Sequence, residues 1–253
     1  MDLYYSVVFF LFGSIFGSFF NVVGYRLPKE ESIVYPPSHC PNCNHQLTAI
    51  ELIPILSYIF LGAKCKNCHI KISPFYPIFE FITGFLFFMA YKKFGLNLET
   101  LLAIVFLSTL VIVFISDYQT MIIPDQVIVV SAILMIILMF FTRGIFGLGS
   151  SILSGIIAFG IMWLLKALGD YMFKKESMGG GDIKLLFLFG LYFGWEMAII
   201  SIFIASFIGL PVSIIILLIK KDNVIPFGPF LSMAAVIITL LQLDIAKVLE
   251  MLM

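Results

Sequence analysis

MAIISIFIASFIGLPVSIIILLI, residues 197–219, runs for more than twenty residues without one charged side chain. A helix rises about 1.5 Å per residue, so a run of this length crosses the roughly 30 Å apolar core of a bilayer. Working outward from it, further apolar runs cover 3–25, 76–91, 98–116, 123–141, 149–168, 183–194 and 226–243. The runs at 76–91 and 183–194 are short, and the division between the last two before 219 falls at Gly194-Trp195-Glu196. Composition agrees: 61% of the 253 residues are hydrophobic and 12% charged, against about 45–50% and about 25% in a soluble domain. A water-soluble enzyme, a disordered chain, collagen and coiled coil are excluded. The expected fold is an all-α polytopic membrane protein of about eight transmembrane helices, with a polar loop at 26–75 after the first. Run 3–25 reads as a retained helix, since no Lys or Arg precedes it and no small-residue cleavage site follows. Fifteen basic residues balance fifteen acidic ones, so the expected partner is a lipid bilayer and not nucleic acid.

Orientation follows from where Lys and Arg fall. With the N-terminus outside, Arg26, Lys29, Lys64, Lys66, Lys71, Lys166, Lys174, Lys175, Lys184, Lys220 and Lys221 lie inside, and Lys92, Lys93, Arg143 and Lys247 outside. That asymmetry predicts N-out topology with a cytoplasmic 26–75 loop.

The loop holds all four cysteines, as Cys40-Pro41-Asn42-Cys43 and Cys65-Lys66-Asn67-Cys68. Two such turns can present four thiolates tetrahedrally, as structural zinc requires. In the reducing cytosol two disulfides would not persist. A four-thiolate site leaves no position for a metal-bound water, so the expected Zn2+ folds the loop and does no chemistry. His39, His45 and His69 lie beside the knuckles and read as solvated loop residues, with ligand replacement as the alternative.

Of the carboxylates at apolar-run ends, Asp170, Glu196 and Asp244 carry no motif, whereas three that fall on one expected side of the membrane do: Asp117, Asp125 after Pro124, and Asp182 after Gly179-Gly180-Gly181. Singly, each has a bland explanation, with Asp125 and Asp182 as helix caps and Asp117 as a boundary residue. Together, two carboxylates converging at a water-accessible boundary would share one proton. One would deprotonate water while the other donates to a peptide carbonyl, which is aspartic protease chemistry. The glycine run fits no nucleotide-binding loop. It is either a flexible turn or a place where backbone approaches an extended peptide.

These motifs resemble those of the prepilin peptidases, or type IV leader peptidases, which are Gly-x-Gly-Asp intramembrane aspartic proteases. Gly179 to Lys184 resembles their Gly-x-Gly-Asp-x-Lys signature, and Asp117 with Pro124-Asp125 resembles the accompanying Asp and Pro-Asp motif. Gly17-Ser18-Phe19-Phe20-Asn21 and Tyr25-Arg26-Leu27-Pro28, then Ile72-Ser73-Pro74 with Tyr76-Pro77 and Glu80, and finally Ile225-Pro226-Phe227-Gly228-Pro229-Phe230 follow the family's order along nearly the whole chain. The resemblance implies a bacterial inner-membrane endopeptidase that cuts the basic leader of prepilins and pseudopilins after Gly on the cytoplasmic face. It also implies N-methylation of the new terminus by S-adenosyl-L-methionine. Asp117 and Asp182 would be the catalytic pair, with Asp125, Gly179, Gly181 and Lys184 in support and Cys40, Cys43, Cys65 and Cys68 on zinc. Segments 1–25, 26–75 and 76–253 would be first helix, methylation-associated zinc loop and peptidase core. Where many members carry Glu-Asn-Ile-Pro, this chain has Glu51-Leu52-Ile53-Pro54. Methylation is expected to survive that change, with Glu51 and Glu80 as candidate residues for the methyl donor's pocket.

Two rival classes use the same features. A proton- or cation-coupled transporter would employ the acids as relay groups, and a membrane scaffold would dock a partner on the zinc loop. Neither explains why the glycine run and both Asp motifs occur together.

Overall fold

A computed structural model describes residues 2–176, 178–220 and 225–252, so Lys221 and Asp222 lie outside the described residues. The chain divides into two compact units, Met1–Leu96 and Asn97–Met253. The described residues are helical throughout, apart from turns and two isolated β-bridges.

The first unit comprises α1 (Asp2–Arg26), a 3-10 turn at Leu27–Lys29, α2 (Leu56–Phe60) and α3 (Phe75–Phe94). Small residues let α1 and α3 touch backbone to backbone, the packing that membrane helices use in place of a hydrophobic drive. A Cβ on Gly17 would stand 2.8 Å from the Glu80 Cα, and one on Gly84 would stand 2.8 Å from the Phe10 carbonyl oxygen and overlap the Ser14 hydroxyl. Buried Asn21 adds a polar tie, its Nδ2 donating to the Tyr76 carbonyl at 3.2 Å. Gly84→Val is therefore expected to force the two helices apart and destabilise this unit by about 2 kcal/mol. A lower melting temperature of the detergent-solubilised protein would show it; an unchanged one would mean the contact is slack.

The second unit holds α4 (Leu98–Thr120), α5 (Asp125–Phe173), α6 (Gly180–Phe193), α7 (Trp195–Lys220), α8 (Gly228–Leu241) and α9 (Ile245–Leu252). Asn97 caps α4 by accepting the Thr100 N–H at 3.0 Å. The runs expected at 123–141 and 149–168 form one helical stretch interrupted only at Gly144, where φ is +68° and ψ −177°. That conformation suits glycine alone. Arg143 secures the break, donating to the Ser151 hydroxyl at 2.9 Å and to the Tyr192 carbonyl at 3.1 Å. Phe106 of α4 stacks on Tyr192 of α6 with centroids 4.2 Å apart. On the other side of α6, a Cβ on Gly190 would lie 2.6 Å from the Ser154 carbonyl oxygen of α5. These contacts hold α6 in place between α4 and α5.

The all-helical architecture is as expected, but the eight expected crossings are not confirmed. Among the described residues four helices, Asp2–Lys29, Leu98–Thr120, Asp125–Phe173 and Trp195–Leu218, are long and apolar enough to cross a membrane. Helices α6 and α8 have 14 residues each, about 21 Å of rise and short of a bilayer core. Gly194 does separate α6 from α7, at φ +94°. Along α7, Phe207 and Leu218 are about four-fifths exposed, an arrangement that water would penalise and lipid tails would not.

Candidate active site and metal centre

Helix α4 ends on Met121 in the left-handed region, and the turn through Ile123 and Pro124 delivers Asp125 as the first residue of α5. Ser116 fastens this turn by donating to the Ile122 carbonyl at 2.5 Å. Gly181 in the first turn of α6 packs directly on it, since a Cβ there would lie 2.8 Å from the Ile123 Cβ. The turn and the start of α6 are thus one assembly, and Asp117 and Asp182 come within electrostatic reach of each other, 6% and 8% exposed.

Neither Asp125 nor Asp182 caps its helix, while Asp117 does stand at the end of α4. Asp117 is buried within the last turn of α4 and accepts the Gly228 backbone N–H on Oδ2 at 2.9 Å. Asp182 sits in the first turn of α6, whose N-cap is Gly179 with no side-chain cap. Asp125 pairs with Lys184 at 2.6 Å, both side chains largely solvated at 64% and 44% exposure. An exposed pair of this kind contributes about 1 kcal/mol or less. Asp125→Asn is accordingly expected to slow the chemistry of this site by less than tenfold, and exchanging the two charges in a double variant should restore it. A loss as large as that from Asp117→Asn would make Asp125 a catalytic group.

The glycine run is an ordered helix start and not a loose turn, with Gly179 the extended N-cap at φ −66°, ψ 143° and Gly180 and Gly181 in the first turn of α6. Gly181 is needed for the contact with Ile123, whereas nothing lies within 4 Å of a Cβ built on Gly180, and Gly179 would meet only Asp182 Oδ2, at 3.8 Å. Two consecutive residues beside a buried acid therefore offer bare backbone to open space. A groove of about 410 Å³, lined by Phe159, Trp163, Ile183 and Lys184 among others, reaches Gly180 between α5 and α6. A pair of carboxyls sharing a proton next to exposed backbone can activate water against an extended peptide. The sequence motifs include Gly228 but gave no sign that it donates to Asp117, 111 residues away.

In the first unit the four cysteines converge. Their sulfurs all lie within 4.8 Å of one another, with Cys40 to Cys68 at 3.7 Å and Cys43 to Cys65 at 3.9 Å. Sulfurs on a tetrahedral zinc with bonds of about 2.3 Å stand about 3.8 Å apart, so the set fits a metal ion. The two knuckles are one turn used twice. Cys40 N–H donates to the His45 carbonyl and Asn44 N–H to Cys40; Cys65 N–H donates to Ile70 and His69 N–H to Cys65, all at 2.9 or 3.0 Å. The bridges His39–Gln46 and Lys64–Lys71 continue the correspondence. Asn67 Nδ2 donates to Cys43 Sγ at 3.6 Å, and Asn42 reaches Cys68 in the mirrored way. Chiefly through the Ile70 N–H, the Cys68 thiol is drawn down to about 6, favouring the thiolate that a metal needs.

No histidine joins the sulfurs among the described residues. His39 Nδ1 hydrogen-bonds the Pro37 carbonyl at 2.9 Å, and His45 reaches Glu51 at 3.3 Å. Glu51 also accepts the Thr48 N–H at 2.9 Å and hydroxyl at 2.7 Å. These donors, the Thr48 N–H first, hold its carboxyl below the usual range. Its contribution to the loop is present above that range and is lost as pH falls through the lowered value. Glu80 accepts the Ile55 N–H at 2.7 Å and has Ser18 beside it. Ile55 lies at φ +63°, ψ −51°, a conformation costing a β-branched residue about 1–3 kcal/mol, so Glu80 anchors a strained turn.

Comparison with known proteins matches both units. Residues 11–94 match the bacterial Peptidase A24 N-terminal domain, and 104–214 match the type IV leader peptidase family. The protein named prepilin leader peptidase/N-methyltransferase of Bacillus subtilis (strain 168) is 35% identical over 240 residues, covering 91% of this chain and 92% of its own. Its namesake in Aeromonas hydrophila is 32% identical over 259 residues, covering 92% and 89%. The chain belongs to the type IV leader peptidase family. It is a peptidase by that membership, and the Neisseria gonorrhoeae relative of the same name, 31% identical over 250 residues, covers 89% of this chain and 87% of its own. No solved structure matches.

Proposed function

We propose that the chain is a multi-pass inner-membrane aspartic endopeptidase that removes the basic leader of type IV prepilins and pseudopilins after Gly, on the cytoplasmic side. The observation that carries this reading is the convergence of Asp117 and Asp182 beside the open backbone of Gly179 and Gly180. Asp117 and Asp182 activate water and protonate the departing amine, and the pair titrates as a unit. Gly181 and the Asp125–Lys184 pair hold the first turn of α6 against the α4–α5 turn. The scissile segment lies extended along Gly179 and Gly180, and the apolar segment that follows stays in the bilayer. The lysine asymmetry supports the N-out orientation with the cysteine loop in the cytosol, and 26–75 and 76–253 act as metal loop and peptidase core. Four thiolates at tetrahedral spacing favour zinc as the loop's metal.

N-methylation of the new terminus is the second proposed activity, and S-adenosyl-L-methionine would supply the methyl group. Of the acids nominated for its pocket, Glu51 accepts from His45 and from the Thr48 N–H and hydroxyl, and Glu80 from the Ile55 N–H with Ser18 beside it, so both are held in fixed orientations. The relatives' names support the activity.

Co-expression with a prepilin carrying a Gly–Phe junction, followed by mass spectrometry of the pilin N-terminus, tests both activities. Loss of the leader establishes the peptidase, and one added methyl mass establishes the transfer. Leaders left uncut across several prepilins would overturn the reading in favour of solute flux or scaffolding.

A further inference from the structure

We infer that the aspartate pair is unequal by construction: Asp117 is the charged member that takes a proton from water, Asp182 is the protonated member that donates to the peptide carbonyl, and the backbone N–H of Gly228 sets this division. The inference deepens the peptidase reading and rests on it.

Gly228 opens α8, where N–H groups have no partner within the helix. Its neighbours cannot share the task. Pro229 has no N–H, and the Phe230 and Leu231 N–H groups both donate to the Phe227 carbonyl. Phe227, the N-cap, supplies no side-chain acceptor. The Gly228 N–H is instead given to Asp117 Oδ2 at 2.9 Å, at the positive end of α8. The fit is close, because a Cβ on Gly228 would stand 2.6 Å from the same oxygen. Asp182 also lies in a first helical turn, but among the described residues no donor reaches its carboxyl. A direct bond to a charged acceptor outweighs a diffuse helix field, so the negative charge settles on Asp117.

The other charged groups do not reverse this. Facing Asp117, α6 offers Asp182 itself, and α8 contains no titratable side chain in Gly228–Leu241. The first turn of α5 offers Asp125, whose charge Lys184 matches at 2.6 Å.

The reaction then balances. Asp117 removes a proton from water as the water oxygen bonds to the peptide carbon, and Asp182 gives its proton to the carbonyl oxygen. As the resulting diol collapses, Asp117 passes its proton to the amide nitrogen and one diol hydroxyl returns a proton to Asp182. The C–N bond breaks, a carboxylic acid and an amine leave, and the pair is restored.

The test is the pH profile of prepilin cleavage by wild type and Gly228→Ala, whose methyl group pushes the Asp117 carboxylate off its donor. The acid limb, where the charged member becomes protonated, should move to higher pH by roughly one unit, with the alkaline limb fixed. Movement of the alkaline limb alone, or of neither, would overturn the assignment. If Gly228→Ala is inactive at every pH, infrared spectra of the substrate-free enzyme decide. The protonated-carboxyl band should persist in Asp117→Asn and vanish in Asp182→Asn; the reverse overturns the proposal. A wild type that cuts no prepilin defeats the peptidase reading, while the infrared comparison still locates the proton.

Discussion

Asp182→Asn is expected to reduce prepilin cleavage by at least roughly 10³-fold, the scale of a lost proton donor at the reacting bond. The change is close to isosteric, and it removes no helix cap, because α6 begins without a side-chain cap. Asp182 has no hydrogen-bond donor to lose among the described residues. The variant should therefore accumulate in the membrane like wild type and retain its melting temperature, while the leader stays on the pilin. Asp117→Asn should do the same, since an amide oxygen can still accept the Gly228 N–H. Cleavage by Asp182→Asn within tenfold of wild type would remove that residue from the chemistry and sink the pair.

The second large effect belongs to the metal loop. Cys65→Ser should cost the protein nearly all of its bound zinc, read as metal per chain after purification. Structural zinc sites contribute on the order of 10–16 kcal/mol of apparent binding energy, and that energy is what folds a segment with so little apolar core. Between Lys29 and Phe75 the only regular element is the five-residue α2. Limited proteolysis within 30–74 should therefore accelerate sharply in the variant. Leader cleavage should remain, because the acids lie in the separate unit Asn97–Met253, while methylation is lost. Purified wild type without zinc, or a variant that keeps it, would refute the assignment of the metal.

The helices could be read from the sequence because apolar runs report burial in lipid directly, and Asp117, Asp125 and Asp182 stood out as the rare charges at their ends. The shortness of α6 showed already in its run at 183–194, whereas that of α8 was hidden, since hydropathy extends past a helix end, as it does through Ile225 and Pro226 into α8. So too was the union of 123–141 with 149–168, which depends on Arg143 reaching Ser151 and Tyr192. The partner of Asp117 was hidden for a different reason. It is a main-chain N–H, and no residue type advertises a backbone donor; only the clearance that forbids a Cβ at Gly228 leaves a trace in the sequence.

The two knuckles make the loop a pair of equivalent half-sites. Residues 38–47 and 63–72 correspond position by position at an offset of 25, yet beyond Cys40/Cys65, Asn42/Asn67 and Cys43/Cys68 their side chains differ. The shared backbone turn, with its two sulfurs and one asparagine, is what each half contributes to the cage. The halves should therefore be interchangeable, so that a chimera carrying 38–47 in both places would assemble the same four-sulfur cage.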